Sequence, residues 1–582
     1  MTRLNIPVGI SDFEKIRQNG YYYVDKSSLI STLLKSESTE VTLVTRPRRF
    51  GKTMAMSMLA SFFDIRKDNA FLFDGLAISS QKDLCQNWMN QWPTVLFTFK
   101  DVDGLNFQDA YGMLTALIAF LFQQYDFLLT SEQVNEYDKA AFHRIVNQKA
   151  SLTEIKTSFL LLTRMLHAHY GKPVILLMDE YDVPVAKASS NGYYQKMLNI
   201  VKAIMSTALK DNPSLKFAVI TGCLKITKES IFTGTNNFVS DSISCNRLNE
   251  YFGFTDTDVT QILQDAELSE HMPAVKKWYD GYHFGNLEVY CPWDVMNYVR
   301  DLQNDPKAAP ASYWKNTSDN AIIRSFIDYA GNSITKKLEI LLSGQAIIQK
   351  VEENLTYDYL HASEENLWSV LYLTGYLTKT GSNSTAESSD EGKYALVIPN
   401  AEVREIFETT IKKWFDDNAR LWDRKALFHA VWTGDCDTAA AEMNRLLRKT
   451  ISYHDYKEDF YHAFFAGIFA GAGYVVESNK EHGEGRNDVI VYASSEGQAA
   501  VFEIKYSKDV ESLSKDCNAA LRQIDTRMYA KELEDDYDQV LYYGISFFKK
   551  RCVIRKNRSR WRHTKQKGAE QYGKINEIAR RN

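Results

Sequence analysis

The chain has 582 residues, of which 45% are hydrophobic and 25% charged, and its formal net charge is -5. This length is too great for one hydrophobic core, so the chain should divide into several domains with an ordinary globular composition. The net negative charge excludes a polycation, and any contact with nucleic acid must come from a local basic surface.

The N-terminal segment and the cysteines predict a soluble, cytoplasmic protein without membrane association. The start MTRLNIPVGISDFEKIRQ lacks the apolar core of a signal peptide, and the apolar stretch MLTALIAFLF is too short to span a bilayer. The seven cysteines are scattered, with no CxxC pair and no zinc spacing. This distribution is typical of reduced thiols.

The first part of the chain predicts strands that alternate with helices. Short apolar runs such as VTLVT are typical of buried strands, and LTEIKTSFLLLTRMLHAHYG has helical patterning. The strands are expected at residues 41–45, 93–99, 173–182 and 215–222, with a helix over residues 52–64. The alternation predicts an α/β fold with a mostly parallel sheet.

After about residue 250 the strand signals fade. Helical segments joined by the aromatic-rich stretches WYDGYHFG and YCPWDVMNYV predict a helical lid and connector to about residue 370. The next segment predicts helix, strand, polar loop (380–393), strand and helix, as in a winged-helix-like unit. Residues 473–548 return to strands and turns. The basic tail from residue 551 fits a nucleic-acid arm and a solvated end equally well.

The stretch LVTRPRRFGKTMAMSML (43–59) predicts a phosphate-binding loop between a strand and a helix. Backbone N–H groups at such a turn surround a phosphate, and Gly51 permits the close approach. Lys52 would supply positive charge to the phosphates, and Thr53 would offer its hydroxyl to Mg²⁺. Arg46 stands where glycine is usual, so Arg46-Pro47 must form the turn in another way.

A second motif supports the first. VILLMDEYD ends an apolar strand in Asp179 and Glu180, as a Walker B strand does. Asp179 would hold Mg²⁺, and Glu180 would orient the attacking water. The alternative is a buried strand that ends in a solvated acidic turn. Thr221 ends the next strand, where a γ-phosphate sensor would lie, but a plain strand end explains it equally well.

Further polar residues are expected near the same sheet edge. Asn236 and Asn237 belong to the polar loop SIFTGTNNF. Arg48, Arg49 and Arg247 are arginine-finger candidates, which a single sequence does not rank. These residues extend the candidate nucleotide site without defining it.

The segment GYVVESNKEHGEGRNDVIVYASSEGQAAVFEIKYS predicts three strands joined by polar turns. Glu503 and Lys505 are two residues apart and face one side of a strand, and Asp488 opens the neighbouring strand about 4.8 Å away. Asp488 and Glu503 would hold a divalent cation, while Lys505 would orient a water or steady the phosphate. The alternative, a solvent-facing charge pair, fits the apolar neighbours of Glu503 poorly.

The chain resembles, up to about residue 550, the bacterial AAA-ATPase-like proteins that carry a C-terminal PD-(D/E)XK nuclease-like domain. The resemblance lies in PVGISDFEKIRQNGYYYVDKSSLI, RPRRFGKT, LMDEYD, ITGCLKITKESIFTGTNNF, YFGFT and WYDGYHFG. It implies that Arg-Pro-Arg-Arg-Phe is the family's own loop. It also implies ATP at Gly51, Lys52 and Thr53, with Asp179 and Glu180 at the metal and the water.

The resemblance extends to the C-terminal site. Asn487-Asp488 stands where the nuclease signature has Pro-Asp, a position that varies. Glu458 in the preceding helix resembles the supporting acid of this fold, and Gln523 in the following helix resembles a residue of its fourth motif.

The predicted fold is therefore an α/β P-loop NTPase core, a helical middle region and a C-terminal α/β restriction-endonuclease-like domain. The predicted domains are an AAA-ATPase-like P-loop domain (1–250), a helical lid or connector (251–370), a winged-helix-like or helical connector (371–450), a PD-(D/E)XK nuclease-like domain (451–550) and a basic tail (551–582).

This architecture predicts an ATP- and Mg²⁺-dependent switch or motor that regulates access of nucleic acid to a metal-dependent nuclease site. DNA is the first expectation for the nucleic acid, RNA stays open, and so does a homo-oligomer. The rival hypothesis is a nucleotide-sensing scaffold that binds nucleic acid or protein without cutting. A phosphotransferase fits less well, because no acceptor-binding domain is evident.

Overall fold

The computed structural model describes residues 3–35, 39–225, 238–314, 332–355, 363–380, 392–410, 425–450, 458–470, 472–478, 481–482, 485–486, 489–493, 496–526, 533 and 536–557. The chain divides into two compact units. The N-terminal unit comprises Met1–Ala330 and Ile340–Glu408, and the C-terminal unit comprises Gly331–Glu339 and Thr409–Asn582.

A five-stranded parallel sheet forms the core of the N-terminal unit. Its strands are β1 (Val41–Thr45), β2 (Thr94–Thr98), β3 (Val174–Asp179), β4 (Leu215–Gly222) and β5 (Phe238–Asp241). They lie in the order β2-β3-β4-β1-β5. Four of these strands and the parallel sheet confirm the sequence prediction. The fifth, β5, is short and half-buried, and its last two residues are polar, so the pattern of apolar runs did not indicate it.

Helices cover both faces of this sheet. The helices of this part are α1 (Phe13–Gln18), α2 (Ser28–Leu34), α3 (Lys52–Phe63), α4 (Lys82–Trp88), α5 (Phe107–Gln123), α6 (Glu136–Val146), α7 (Leu152–Lys156), α8 (Ser158–Tyr170), α9 (Val183–Ser190) and α10 (Tyr194–Leu209). Alternate residues of β3 enter different cores: Leu176 packs among α5, α6 and α8, whereas Leu177 packs among α1, α2 and α3. This period-two burial on both faces is what a sheet between two helical layers requires.

The middle of the chain is mainly helical, as the sequence predicted. It contains α11 (Asp256–Asp265), α12 (Met272–Tyr279), α13 (Pro292–Asn304), α14 (Asn332–Leu342), α15 (Glu364–Leu373) and α16 (401–410). Two small sheets were not predicted in full: the hairpin β6 (Tyr282–Phe284)/β7 (Leu287–Val289), and the antiparallel sheet β8 (Ile347–Lys350), β9 (Thr378–Lys379) and β10 (Lys393–Val397). Their strands are too short for a period-two pattern to stand out.

The C-terminal unit has a second five-stranded sheet in the order β11-β14-β15-β16-β17. Its elements are α17 (Lys425–Thr433), α18 (Cys436–Thr450), α19 (Glu458–Ala470), β11 (Val475–Ser478), β12 (Glu481–His482), β13 (Gly485–Arg486), β14 (Val489–Ala493), β15 (Gln498–Tyr506), α20 (Leu513–Thr526), β16 (Gln539–Phe548) and β17 (Arg551–Lys556). Only β15 and β16 pair in parallel within it. This sheet domain confirms the predicted C-terminal α/β fold.

The segment predicted as a basic tail begins with strand β17. Its alternate residues Cys552 and Ile554 are buried, while Arg551 is exposed. The run RCVIRK therefore has a strand's period-two pattern that its charges obscured. The seven cysteines are free thiols. No helix in the described part of the chain is long and apolar enough to cross a membrane.

Candidate nucleotide and nuclease sites

The loop between β1 and α3 turns through two left-handed residues, and neither is residue 46. Arg49 has φ 74° and Gly51 has φ 85°. Gly51 immediately precedes the first residue of α3, Lys52. Glycine adopts such angles at little cost, so Gly51 carries the sharp turn into the helix. The backbone here does not need a glycine at position 46.

Arg46 is instead a buried anchor of the loop. Its guanidinium donates to the carbonyl oxygens of Thr45 and Asp241, both at 2.9 Å, and to Asp241 Oδ1 at 2.7 Å. It also lies 5.3 Å from the ring centres of Phe252 and Phe284. Arg46 is fully buried and Asp241 nearly so. The pair therefore fixes the start of the loop to edge strand β5.

Lys52 points back along the loop. Its ammonium donates to the carbonyl oxygens of Arg46 and Pro47 at 3.1 Å each, and it lies 3.4 Å from Glu180 Oε1. Burial alone would lower the pKa of Lys52, but the neighbouring carboxylates of Glu180 and Asp179 outweigh burial and the pKa is raised. The side chain therefore stays charged between the loop and the end of β3.

Asp179 links the two motifs. Its Oδ2 accepts a hydrogen bond from Thr53 Oγ1 at 2.7 Å, and its Oδ1 accepts one from Thr221 Oγ1. Burial and the neighbouring Glu180 raise the pKa of Asp179. The structure thus brings together residues of α3, β3 and β4. A hydroxyl beside a single carboxylate suits Mg²⁺, which binds through few protein ligands together with water and phosphate. The described residues contain no cluster of three or more His, Cys, Asp or Glu able to hold a metal.

Glu180 sits directly after β3 in a left-handed conformation, with φ 53°. For a residue with a side chain this backbone costs of order 1–3 kcal/mol, a cost that is typical of functional sites. Its Oε1 faces Lys52, and no hydrogen-bond donor among the described residues reaches its buried Oε2. One carboxylate oxygen is therefore paired while the other has capacity to accept a hydrogen bond.

Asp182 is a site residue that the sequence reasoning missed. Its Oδ2 accepts hydrogen bonds from the backbone N–H groups of Cys223 and Leu224, both at 3.0 Å. Burial, followed by the charge of Glu180, raises the pKa of Asp182 to about 6. Asp182 therefore ties the turn after β3 to the loop after β4. The second Asp of DEYD was a signal that could have suggested this role.

The arginine-finger candidates have different environments. Arg49 donates to the carbonyl oxygen of Tyr313 at 3.2 Å and lies 4.8 Å over the Trp293 ring. Arg247 pairs with Asp241 Oδ2 at 3.4 Å, so it supports the Arg46 anchor. Arg48 is exposed. Asn236 and Asn237 lie outside the described residues.

A cavity of about 380 Å³ lies beside the loop. Its lining includes residues 49–55, Lys100 and Glu180, together with residues 7–11 and part of helix α13. This volume lies in the range of small-molecule sites, about 300–1,000 Å³. Apart from its loop residues and Glu180, the lining was not anticipated, because contributions so far apart in the chain leave no local motif.

In the C-terminal unit, Glu503 and Lys505 lie on the same face of β15. Glu503 is buried at 1% exposure, and Lys505 Nζ lies 3.6 Å from Glu503 Oε1. Strand β14 begins at Val489, which is in register with Phe502. Asp488 lies outside the described residues, but its chain neighbour Val489 starts the adjacent strand. One buried carboxylate beside one ammonium suits a divalent-metal site that takes further ligands from the neighbouring strand.

Helix α20 packs closely against the neighbouring strand β16. Gly544 on β16 is in register with Glu503, and a Cβ at position 544 would come 2.6 Å from the Cys517 carbonyl oxygen of α20. Glycine therefore permits the close approach. Gln523 also lies on α20 and is half-buried. Glu458 is the first residue of α19.

Comparison with protein families matches both units. Residues 7–232 match the family model described as a predicted AAA-ATPase, and residues 456–557 match the PD-(D/E)XK nuclease superfamily. These spans contain the Lys52–Asp179–Thr221 cluster and the Glu503–Lys505 pair, respectively. The second span also includes β17, in agreement with its place in the sheet.

One curated relative shares nearly the whole length. It is an "Uncharacterized protein in vnfD 5'region" of Azotobacter chroococcum mcd 1, 24% identical over 562 residues. The similarity covers 94% of this chain and 97% of the relative. Similarity over this length indicates that the two proteins share both units.

Proposed function

Because this chain combines an AAA-ATPase-like domain with a C-terminal PD-(D/E)XK nuclease superfamily domain, we propose that it is an ATP-dependent protein that controls a metal-dependent nuclease. The N-terminal unit binds and hydrolyses ATP with Mg²⁺. The C-terminal unit cuts nucleic acid, with DNA as the expected substrate. The nucleotide cycle would regulate access of the nucleic acid to the C-terminal site.

The observation that carries the ATPase proposal is the cluster around Asp179. When bound, Mg²⁺ would neutralise charge on the β- and γ-phosphates. Thr53 and Asp179 are suited to hold it, and Thr221 keeps the Asp179 carboxylate oriented. Lys52 would leave the loop carbonyls for the phosphates, which offer its three N–H donors charged acceptors. Glu180 would use Oε2 to orient the attacking water.

The nuclease proposal is supported by the buried Glu503. A buried carboxylate needs a paired charge or a metal, and the Lys505 ammonium lies 3.6 Å from Glu503 Oε1 on the same strand face. When bound, the divalent cation would polarise the scissile phosphate and activate water. Glu503 and Asp488 would hold it, and Lys505 would position the attacking water or stabilise the charge on the phosphate.

We expect Lys52→Ala to abolish ATP binding and to leave the fold intact, because the buried ammonium at the loop is the main charge for the phosphates. Titration calorimetry with ATP and Mg²⁺ measures this effect. Lys82→Ala is the matched control, since Lys82 also opens a helix but is exposed. Equal ATP affinity in the Lys52 variant and the wild type would remove the loop from the proposal.

Glu180→Gln is expected to retain ATP and to slow its hydrolysis by about 100-fold or more, because an amide cannot accept the proton of water. Single-turnover hydrolysis, measured beside ATP affinity, separates the two steps. If the variant hydrolyses ATP at the wild-type rate, Glu180 has no part in the chemistry.

We expect cleavage of nucleic acid only with Mg²⁺ or Mn²⁺, and we expect Asp488→Ala and Lys505→Ala to abolish it. Asp488→Ala removes a metal ligand, so metal affinity should fall as well. Lys505→Ala should reduce cleavage far more than metal affinity. Lys508→Ala, an exposed lysine just beyond β15, is the control. Cleavage assays with DNA and RNA, with and without ATP, provide the readout.

The same assays separate a nuclease from a scaffold. If Asp488→Ala cuts as well as the wild type, the nuclease site lies elsewhere. If the wild type binds DNA but never cuts it under any metal condition, the nucleotide-sensing scaffold replaces the nuclease proposal.

A further inference from the structure

The C-terminal unit has three consecutive cations at the turn between β16 and β17. Lys549 and Lys550 form the turn, and Arg551 begins β17. Lys549 and Arg551 are exposed, whereas Lys550 is half-buried. The two strands and their turn, residues 539–556, contain no acidic residue. The basic hairpin tip, residues 549–551, is therefore a concentration of positive charge on a chain whose net charge is negative.

The basic hairpin tip lies at the end of the sheet that carries the candidate nuclease site. Strands β15 and β16 are parallel, and Lys505 is in register with Ser546. Just beyond this pair, the Ser507 N–H donates to the Phe547 carbonyl oxygen at 2.8 Å. Because Lys549 follows Ser546 by a few residues, the tip lies about 10 Å beyond Lys505 along the strand direction.

The backbone of the turn is unfavourable for a lysine. Lys549 has φ 53°, in the left-handed region. Two-residue hairpin turns usually place Gly, Asn or Asp in this region, because a longer side chain makes the conformation costly. Strain of this kind is typical of functional sites. Stability alone would favour glycine at position 549, so the lysine indicates a role for its charge.

Two helices hold the basic hairpin tip in place. The Tyr461 hydroxyl of α19 donates to the Lys549 carbonyl oxygen at 2.9 Å, and its ring stacks on Phe547 with 4.6 Å between ring centres. The Asn444 amide of α18 donates to the Cys552 carbonyl oxygen at 3.3 Å and accepts the Cys552 N–H at 2.7 Å. Because Asn444 occupies both backbone groups of Cys552, the edge of β17 beside the tip is closed to an added strand. The tip therefore presents its charges rather than a strand edge.

We infer that the basic hairpin tip binds the sugar-phosphate backbone of the nucleic acid that the C-terminal unit cuts. This inference rests on the proposed function and adds a contact away from the scissile phosphate. A separation of about 10 Å corresponds to about three base steps along one strand. Exposed lysine and arginine side chains contact phosphates without reading bases. Binding through the tip is therefore independent of sequence and sensitive to salt.

The test is the salt dependence of binding to a labelled DNA duplex and to an RNA of the same sequence, with the full chain in EDTA and again with Ca²⁺. Each phosphate contact contributes about -0.9 to the slope of log affinity against log salt. Lys549→Gly/Arg551→Thr should make the slope shallower by about two and weaken binding at least about tenfold at about 0.1 M salt. Glycine suits the left-handed turn, so the melting temperature should not fall. Lys556→Ala, at the other end of β17, is the matched control and should keep the wild-type slope.

The outcomes separate the basic hairpin tip from the proposed function. A wild-type slope and affinity in the double variant overturn the tip as a binding site, and so does an equal change in Lys556→Ala. Either result leaves the nuclease standing, because its site rests on Asp488, Glu503 and Lys505. If the wild type binds neither DNA nor RNA, in EDTA or with Ca²⁺, the proposed function itself fails.

Discussion

Arg46 stands where a phosphate-binding loop usually has glycine, but the backbone at this position is not left-handed. The left-handed residues of the loop are Arg49 and Gly51, and Arg46 is a buried cation paired with Asp241. Buried pairs of this kind are costly to break one partner at a time, because the remaining charge stays buried. Replacing Arg46 by the usual glycine should therefore destabilise the N-terminal unit.

We expect Arg46→Gly and Arg46→Met to destabilise the N-terminal unit by about 3–5 kcal/mol, since Asp241 would lose its buried partner. Urea unfolding followed by tryptophan fluorescence measures the change. The double variant Arg46→Met/Asp241→Leu should be less destabilised than Arg46→Met. If the loss of stability in the double variant equals the sum of the losses in Arg46→Met and in Asp241→Leu, the two residues are not an interacting pair.

At the scale of elements, long buried strands were predictable and short edge strands were not. Strand β3 is buried along its whole length and produces an unbroken apolar run, which indicates a strand without any partner in view. Strand β5 can bury the charged Asp241 because Asp241 pairs with Arg46, which lies 195 residues earlier in the chain. A polar residue that is buried by a distant partner has no local signal, so neither β5 nor the role of Arg46 could be read from the sequence.

The candidate sites divide in the same way. Lys52, Asp179 and Glu180 could be nominated from the sequence because each lies within a contiguous motif. Asp182 and the cavity lining outside the loop were missed, because their partners come from separate elements that only the fold brings together. Site residues that lie in one short motif can be predicted from the sequence, whereas site residues that come together from distant segments cannot.

Helices α13 and α16 meet at a pair of buried carboxyl groups, Asp294 and Glu402. Glu402 Oε1 accepts the Trp314 N–H at 2.7 Å. As ionised groups, neither Asp294 oxygen nor Glu402 Oε2 would have a donor among the described residues. If the two carboxyl groups share one proton, one of them can donate a hydrogen bond to the other. Burial, with the charge of Asp294, raises the pKa of Glu402 to about 10, and burial raises the pKa of Asp294.

This proton makes the N-terminal unit less stable as pH rises. The unfolded carboxyl loses its proton near its ordinary pKa of 4.5, whereas the folded pair keeps it to about pH 10. The stabilisation is thus complete below pH 4.5 and is lost progressively up to pH 10, by of order 1 kcal/mol per pH unit. We expect Glu402→Gln to flatten this slope between pH 6 and 9. Glu408→Gln, exposed on the same helix, should keep it. Equal slopes in both variants would exclude the shared proton.

At the scale of the whole molecule, two units with separate cores imply two unfolding events. A ligand stabilises only the structure that binds it, by about 2.7 kcal/mol at 100 times its dissociation constant. ATP with Mg²⁺ should therefore raise the melting temperature of one transition and leave the other unchanged. Differential scanning calorimetry resolves the two. In Lys52→Ala neither transition should move, and a single transition that shifts as a whole would contradict the separation into units.

The Arg46–Asp241 pair also sets an order of events during synthesis. Strand β1 lies between β4 and β5, both of which leave the ribosome much later. At about 5–20 residues per second, Asp241 is made roughly 10–40 s after Arg46, its partner 195 positions earlier. Throughout that interval Arg46 in the nascent phosphate loop has not yet met its partner Asp241. The candidate nucleotide site is thus completed late in translation, although its most recognisable sequence is made first.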